Sequence, residues 1–251
     1  MLRALFVMLL LGAGPGTAPP AVAIVGGQAE TGALANAGLM VLAPDGRFCS
    51  AVMLDRDVVL TAAHCVTGNG DHRVHFRNPD GTPALLQIAE RAVHPEFDPD
   101  AIRTRRRSID LALVRLMEPL PERFTPATLS QGIPAAGASV IVSGFGTRDE
   151  QDGRGANTGR FDSVSLSVVE PYGRSRILIW LAGADGALRG ACHGDSGGPV
   201  SASGSVFAIT TWTTGPGNRA CGALTQGVLL GPQRGWIEQV TRRWNRQPNW
   251  Q

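Results

Sequence analysis

From residue 24 onward, apolar residues come in short runs, each closed by residues that favour turns. Residues 38–43 are followed by Pro44-Asp45-Gly46, and residues 51–54 by Asp55-Arg56-Asp57, before the run at 58–62. Further runs lie at 74–76, 85–89, 111–116, 139–143, 164–169, 177–181, 200–203, 206–211 and 227–230. Segments this short, bounded by Gly, Pro and Asp, predict antiparallel strands and hairpins. Helical spacing occurs once. Trp236, Ile237, Val240 and Trp244 fall at i, i+1, i+4 and i+8, which places one apolar stripe on a terminal helix and gives it a packing role. The Pro-rich stretch 119–134 lies near the midpoint and is expected to join two β halves, although no internal sequence repeat is visible. Residues 151–159, polar and Gly-rich, are expected to form a mobile surface loop.

The first residues follow another pattern. Arg3 precedes an apolar run at 4–11, then come Gly12, Pro15, Pro19 and Pro20, and then Ala21-Val22-Ala23. A positive start, a short apolar segment and an Ala-x-Ala end predict a secretory signal peptide over residues 1–23. A membrane anchor would need roughly 20 apolar residues, so the released protein is expected to be secreted, extracellular or periplasmic, without stable membrane insertion. Composition agrees with short strands joined by turns: 43% hydrophobic and 18% charged residues, 32 Gly and 17 Pro. The formal charge of +2, with no basic stripe, argues against nucleic acid as a partner. Four cysteines in an exported chain predict disulfides. Three pairings are open, and Cys49–Cys65 with Cys192–Cys221 is favoured because each local pair brackets a segment with evident chemistry. Zinc competes weakly, since no Cys-x-x-Cys occurs and His64 directly precedes Cys65. Neither a metal nor a cofactor is expected.

Three segments carry the chemistry. Thr61-Ala62-Ala63-His64-Cys65 closes an apolar run with a histidine, Asp110-Leu111-Ala112-Leu113 opens one with an aspartate, and Gly194-Asp195-Ser196-Gly197-Gly198-Pro199 sets a serine among glycines. Each alone has an ordinary structural reading. Together they supply a weak nucleophile, a base that titrates near neutrality and a carboxylate to orient that base. With Ile24-Val25-Gly26-Gly27, Ser143-Gly144-Phe145-Gly146 and Thr211-Trp212, the chain after residue 23 resembles the trypsin/chymotrypsin family, as a bacterial-type secreted member.

That resemblance implies an all-β fold: two packed six-stranded Greek-key β-barrels, about 24–125 and about 126–251, with a C-terminal α-helix and the active site in the cleft between barrels. It implies a serine endopeptidase working through an acyl-enzyme on Ser196, with His64 as base, Asp110 as its orienting carboxylate, and the N–H groups of Gly194 and Ser196 as oxyanion donors. Asp195 would pair with the amino group of Ile24 once the preceding residues are removed. Because Ala-x-Ala ends directly at Ile24, signal peptidase alone is expected to expose that terminus. The substrate pocket would comprise Gly190, Ala191, His193, Thr211, Trp212, Thr213 and Gly227. Gly190 stands where trypsin-like members carry an aspartate, so cleavage after Arg or Lys is not expected. Thr213 replaces a common glycine and would narrow the entrance, favouring small or medium uncharged side chains. An acidic preference is a second reading, drawing on Arg189, His193, Thr210 and Thr213. Thr211 would donate to Asp110 in place of the family's usual serine.

Arg103, Arg105, Arg106 and Arg107 are expected to form a solvated loop, or else to border the cleft and favour acidic residues upstream of the cut. His72, His75 and His94 are expected at the surface or in turns. Partners would be protein or peptide substrates and protein inhibitors, with the enzyme a monomer. Two rival functions remain: a catalytically inactive secreted binding protein on the same fold, and a lipase-type acyl hydrolase. The second has the Gly-x-Ser-x-Gly form but neither the strand-then-helix context nor the triad order.

Overall fold

The computed structural model describes residues 23–104, 106–148, 159–217 and 219–251. The signal-peptide expectation therefore lies outside the described residues except for Ala23, and the loop expectation except for Gly159.

Twelve strands close into two rings. The first holds β1 (Gly38–Leu42), β2 (Phe48–Asp55), β3 (Val58–Thr61), β4 (Arg73–Arg77), β5 (Pro83–Val93) and β6 (Ala112–Leu116), in the closed order β1-β2-β3-β6-β5-β4. The second holds β7 (Ser139–Gly144), β8 (Asp162–Val169), β9 (Leu178–Ala182), β10 (Pro199–Ala202), β11 (Ser205–Thr214) and β12 (Leu224–Leu229). Its order is β7-β8-β9-β12-β11-β10, closed by pairing of β10 with β7. All pairs within both rings are antiparallel, and the second ring repeats the strand order of the first. A single C-terminal helix, Arg234–Arg243, follows the second ring.

Burial explains why some runs alternate and others do not. In β8 the residues Asp162, Val164, Leu166 and Val168 point inward and their neighbours outward, the period of two expected of a half-buried strand. Every residue of β3 is buried. Val59 faces the first barrel's core, while Val58 and Leu60 join a separate apolar cluster between the barrels. β6 divides in the same way, with Val114 inside the barrel and Leu113 in the shared cluster. The second barrel contributes Ile209 and Val228 to that cluster, the helix contributes Ile237 and Val240, and Trp244 joins from just beyond the helix. The helix therefore packs across both barrels. Just beyond it, Arg246 makes a two-pronged contact with Asp57 of the first barrel, at 2.7 and 2.9 Å.

The histidines depart from expectation. His72, His75 and His94 are all buried. His75 lies inside the β4–β5 pairing, with its Nδ1 2.8 Å from the Ala84 carbonyl. The His94 ring packs at a tilt of 59° against Trp236 of the helix, centroids 4.7 Å apart, and accepts from the Glu96 N–H. An imidazole body is apolar enough to fill such gaps, which an isolated histidine in a polar stretch does not reveal.

Burial holds the His94 pKa below its ordinary 6.5, although the nearby Glu96 charge works against the shift. The folded state thus favours the neutral ring, so the contribution of His94 is complete above about 6.5 and is lost as the pH falls below that. His94→Phe is expected to flatten the decline of stability between neutral pH and pH 5, measured as urea midpoints. An unchanged decline would show that this ring does not carry the acid sensitivity.

Candidate active site

The first barrel delivers His64 and Asp110 to the cleft. β3 runs into a tight turn, Ala63–Cys65, and Asp110 precedes β6, the strand paired with β3. One Asp110 oxygen accepts the His64 main-chain N–H at 2.9 Å and the other lies 2.6 Å from His64 Nδ1. An ionised carboxylate only accepts, so Nδ1 carries the proton and Nε2 is left as the acceptor. The disulfide Cys49–Cys65, with Cα atoms 6.0 Å apart, ties this turn to β2. It also consumes both thiols of the Cys49, His64 and Cys65 group, whose potential ligand atoms lie within 4.8 Å of one another, so that group has no thiolate to offer zinc.

The second barrel delivers the loop around Ser196. Gly194 has φ +96° and Gly197 φ +83°, and neither has room for a side chain. A Cβ at Gly194 would strike the Phe48 ring, and one at Gly197 the Ser50 carbonyl and Thr61 Oγ1. The glycines thus let this loop press directly against the first barrel. Ser50 crosses the gap. Its N–H donates to the Ser196 carbonyl at 2.8 Å, its hydroxyl donates to the Gly194 carbonyl at 2.8 Å, and the same hydroxyl accepts the Phe145 N–H at 2.9 Å. Gly197 N–H donates to the Thr210 carbonyl and Gly198 N–H to the Asp195 carbonyl. The N–H groups of Gly194 and Ser196 have no acceptor among the described residues. Two adjacent free donors beside a half-buried serine are what a developing oxyanion requires. Among the described residues Ser196 Oγ makes no hydrogen bond to His64 Nε2. Such bonds are often long before substrate arrives.

Asp195 is fully buried. It accepts from Gly146 N–H at 2.7 Å and from Cys192 N–H at 2.8 Å. A Cβ at Gly144 or Gly146 would collide with its carboxylate, which accounts for the glycines of the Ser143-Gly144-Phe145-Gly146 motif. Burial pushes the Asp195 carboxyl up to about 7, against the opposing effect of these two backbone bonds. Ile24 is sealed into the second barrel's core at φ +62°, and Val25 exchanges two hydrogen bonds with Gly190, at 3.1 and 3.2 Å. The chain is uncut here, and among the described residues no ion pair joins Ile24 to Asp195.

The residues expected to line a substrate pocket include Gly190 and its neighbours. Thr213 Oγ1 donates to the Ala191 carbonyl at 2.8 Å, tying β11 to the segment just after Gly190. A Cβ at Gly190 would lie 2.9 Å from Thr225 Oγ1, and Thr225 Oγ1 also accepts the Ala191 N–H. The Cys192–Cys221 disulfide, with Cα atoms 4.6 Å apart, braces this wall. Gly227 pairs with Thr210, whose buried hydroxyl has no hydrogen-bond partner among the described residues. His193 and Trp212 are exposed toward solvent. Two expectations fail. Thr211 sits where the β11–β12 register shifts and makes no hydrogen bond to Asp110 among the described residues. Arg189 is exposed and packs against Gly26, which removes the main cation of the acidic reading. In the arginine-rich segment, Arg103 lies in a helical turn, Ala101–Thr104, rather than a loop and pairs with Asp100, Arg107 pairs with Glu96 on the surface, and Arg105 lies outside the described residues.

Two contributors carry no sequence signal: Ser50, which reads as one more strand residue, and Asp162, a polar residue at the head of an alternating run.

The family profile described as Trypsin matches residues 24–228. Kallikrein-15 of Saguinus oedipus is 30% identical over 227 residues, covering 79% of this chain and 84% of its own length. Kallikrein 1-related peptidase b22 of Mus musculus is 29% identical over 188 residues, covering 68% of this chain and 72% of its own. The structure of neuropsin, a serine protease expressed in the limbic system of mouse brain, superposes with a TM-score of 0.70 at 21% identity, over 86% of this chain and 99% of that one. These relatives are animal proteins, so the bacterial-type qualifier has no support from them.

Ser50→Ala removes the hydroxyl link between β2, Phe145 and Gly194. We expect kcat to fall about tenfold with KM little changed, since the donors are then less well held for the transition state. Ser50→Thr should restore much of the loss. A change confined to KM would show that Ser50 serves the pocket instead.

Proposed function

Because the chain belongs to the trypsin family and is a serine-type endopeptidase, we propose that it is an exported enzyme that cuts after small or medium uncharged side chains, with Ser196, His64 and Asp110 as its triad. The observation that carries this reading is the pair of hydrogen bonds from His64 to Asp110, across the cleft from Ser196 and the two free N–H groups. Ser196 Oγ attacks the substrate carbonyl while His64 Nε2 takes its proton. Gly194 and Ser196 N–H receive the oxyanion, and Asp110 balances the imidazolium. His64 then hands the proton to the departing amine, leaving an acyl group on Ser196 that water removes through the same steps in reverse order. For specificity, the Thr213 bridge to Ala191 supports a shallow pocket, and Gly190 offers no carboxylate for a basic side chain.

Export rests on residues 1–23. Among the described residues no helix is long and apolar enough to cross a membrane. Activation by signal cleavage draws support from burial: Ala23 is 6% exposed and Ile24 0%, so the bond between them is closed to a protease once the chain has folded. Cleavage then has to come before folding, as it does for a signal peptide removed during translocation.

Labelling with a fluorophosphonate is expected for secreted protein whose sequence starts at Ile24, and is expected to vanish in Ser196→Ala. Peptide libraries should be cut after residues such as Ala, Val, Ser or Thr, and Thr213→Gly should extend cleavage to larger side chains. Dominant cleavage after Arg, Lys, Asp or Glu would overturn the specificity.

A stability test bears on activation. In the uncut chain Asp195 titrates near 7 when folded, against an ordinary 3.8 when unfolded. The folded form holds the proton over that window, so the uncut chain loses stability as pH rises from about 4 to about 7. A chain starting at Ile24 supplies an ammonium partner and should keep its stability across the same window. Parallel urea midpoints for the two Ser196→Ala proteins would argue against the Ile24–Asp195 pair.

A further inference from the structure

The activation site contains a second buried carboxylate. Asp162 opens β8 facing inward and is 0% exposed. Arg160 grips it with two hydrogen bonds, at 2.6 and 3.0 Å. Its Oδ2 also accepts the Ala23 N–H at 2.5 Å, directly before the proposed cut. Asp162 pairs in register with Gly144 on one side and Ala29 on the other, and Gly144 is also the residue against which the Asp195 carboxylate packs. The two carboxylates are close enough that the charge of Asp162 discourages ionisation of Asp195.

Charge balance makes this arrangement informative. In the uncut chain two buried carboxyl groups, Asp162 and Asp195, lie close together, and Arg160 pairs with Asp162 alone, which leaves Asp195 without a cation among the described residues. Cleavage after Ala23 removes a donor from Asp162 Oδ2 and creates one further positive charge, the Ile24 ammonium. Main-chain geometry keeps the Ile24 nitrogen within roughly 6 Å of Asp162 Oδ2, one residue step from the Ala23 nitrogen now bonded there. Little movement is required, since Ile24 is already buried and Val25 already bonded to Gly190. An ammonium carries three N–H donors, enough for both carboxylates.

We propose that Asp162, held in place by Arg160, is a second receptor for the Ile24 ammonium, so that the new terminus is clamped between Asp162 and Asp195. This rests on the activation reading given above and extends it to a positioning residue outside the triad and its loop. The charged groups around the terminus are Asp195 from the Ser196 loop, Asp162 and Arg160 from β8 and the residues before it, Glu30 from the N-terminal segment and Arg189 from the segment beside Gly26. An ammonium clamped by two carboxylates stays protonated to higher pH than one held by a single carboxylate.

The sequence allows a direct measurement. All 23 basic Lys and Arg positions are arginine, so the α-amino group is the sole primary amine of the mature chain. Its protonation can be read from the pH dependence of its acetylation by trace acetic anhydride, on secreted protein starting at Ile24, alongside the alkaline limb of kcat/KM. Asp162→Asn should lower the apparent pKa of that amine by about one unit and move the alkaline limb down with it. Arg160→Gln frees Asp162 from its competing cation and should move both upward. If Asp162→Asn does not fold, Arg160→Gln decides alone. No displacement of either quantity in any folded variant would overturn the proposal. Asp195→Asn tests the parent reading separately: full activity with an unchanged amine would remove the Ile24–Asp195 pair whatever Asp162 does.

Discussion

A carboxylate sealed away from water must be met by donors, and the donors that meet Asp195 hold the whole site in shape. One comes from Gly146, just beyond β7, and the other from Cys192, at the start of the Ser196 loop. Gly144 and Gly146 leave the space the carboxylate fills. Because Asp195 lies between Gly194 and Ser196, fixing its side chain fixes the peptide planes on either side. The same loop reaches Gly190 through the pocket wall, and Gly190 is bonded to Val25. The Ile24-Val25 segment, Gly190 and the Gly194–Ser196 loop are therefore one mechanical unit, and a disturbance at any of them reaches the others through bonded neighbours.

The other half of the site is built on a different basis. β3 and β6 are buried on both faces, one set of side chains in the first barrel and the other in the apolar layer between barrels. Two strands pinned in this way have little freedom, and His64 and Asp110 sit at their ends, joined by two hydrogen bonds. Ser50 links the two constructions, since its main chain belongs to β2 while its hydroxyl and N–H belong to the Ser196 loop. The cleft is thus the meeting of a rigid strand pair with a loop that depends on buried charge.

How much of this could be read from residues alone follows from range. Strands announced themselves because short apolar runs and the turn residues that close them are local signals. His64, Asp110 and Ser196 could be singled out because each sits in a short motif and the order of the three motifs is distinctive. Ser50 was not: a hydroxyl in a strand gains its meaning from partners at 145 and 194, which no local pattern reveals. Asp162 was hidden for the same reason, its partners being Arg160 nearby and Ala23 at the far end of the chain. Thr211 misled because substitution of one hydroxyl for another says nothing about a shift of strand register. His94 misled because its packing partner, Trp236, belongs to the last helix.

The repeated strand order has a consequence for timing. Each ring closes on its own residues, and the chain passes from the first to the second once. His64 and Asp110 belong to the first ring's segment, whereas Ser196 arrives with the second. A chain emerging N-terminus first from its point of synthesis can complete the ring that carries His64 and Asp110 before the segment with Ser196 has emerged. Neither half holds all the reacting groups, so a protein able to digest its neighbours acquires that ability only when the two halves dock, after the last strands and the helix that spans them are in place.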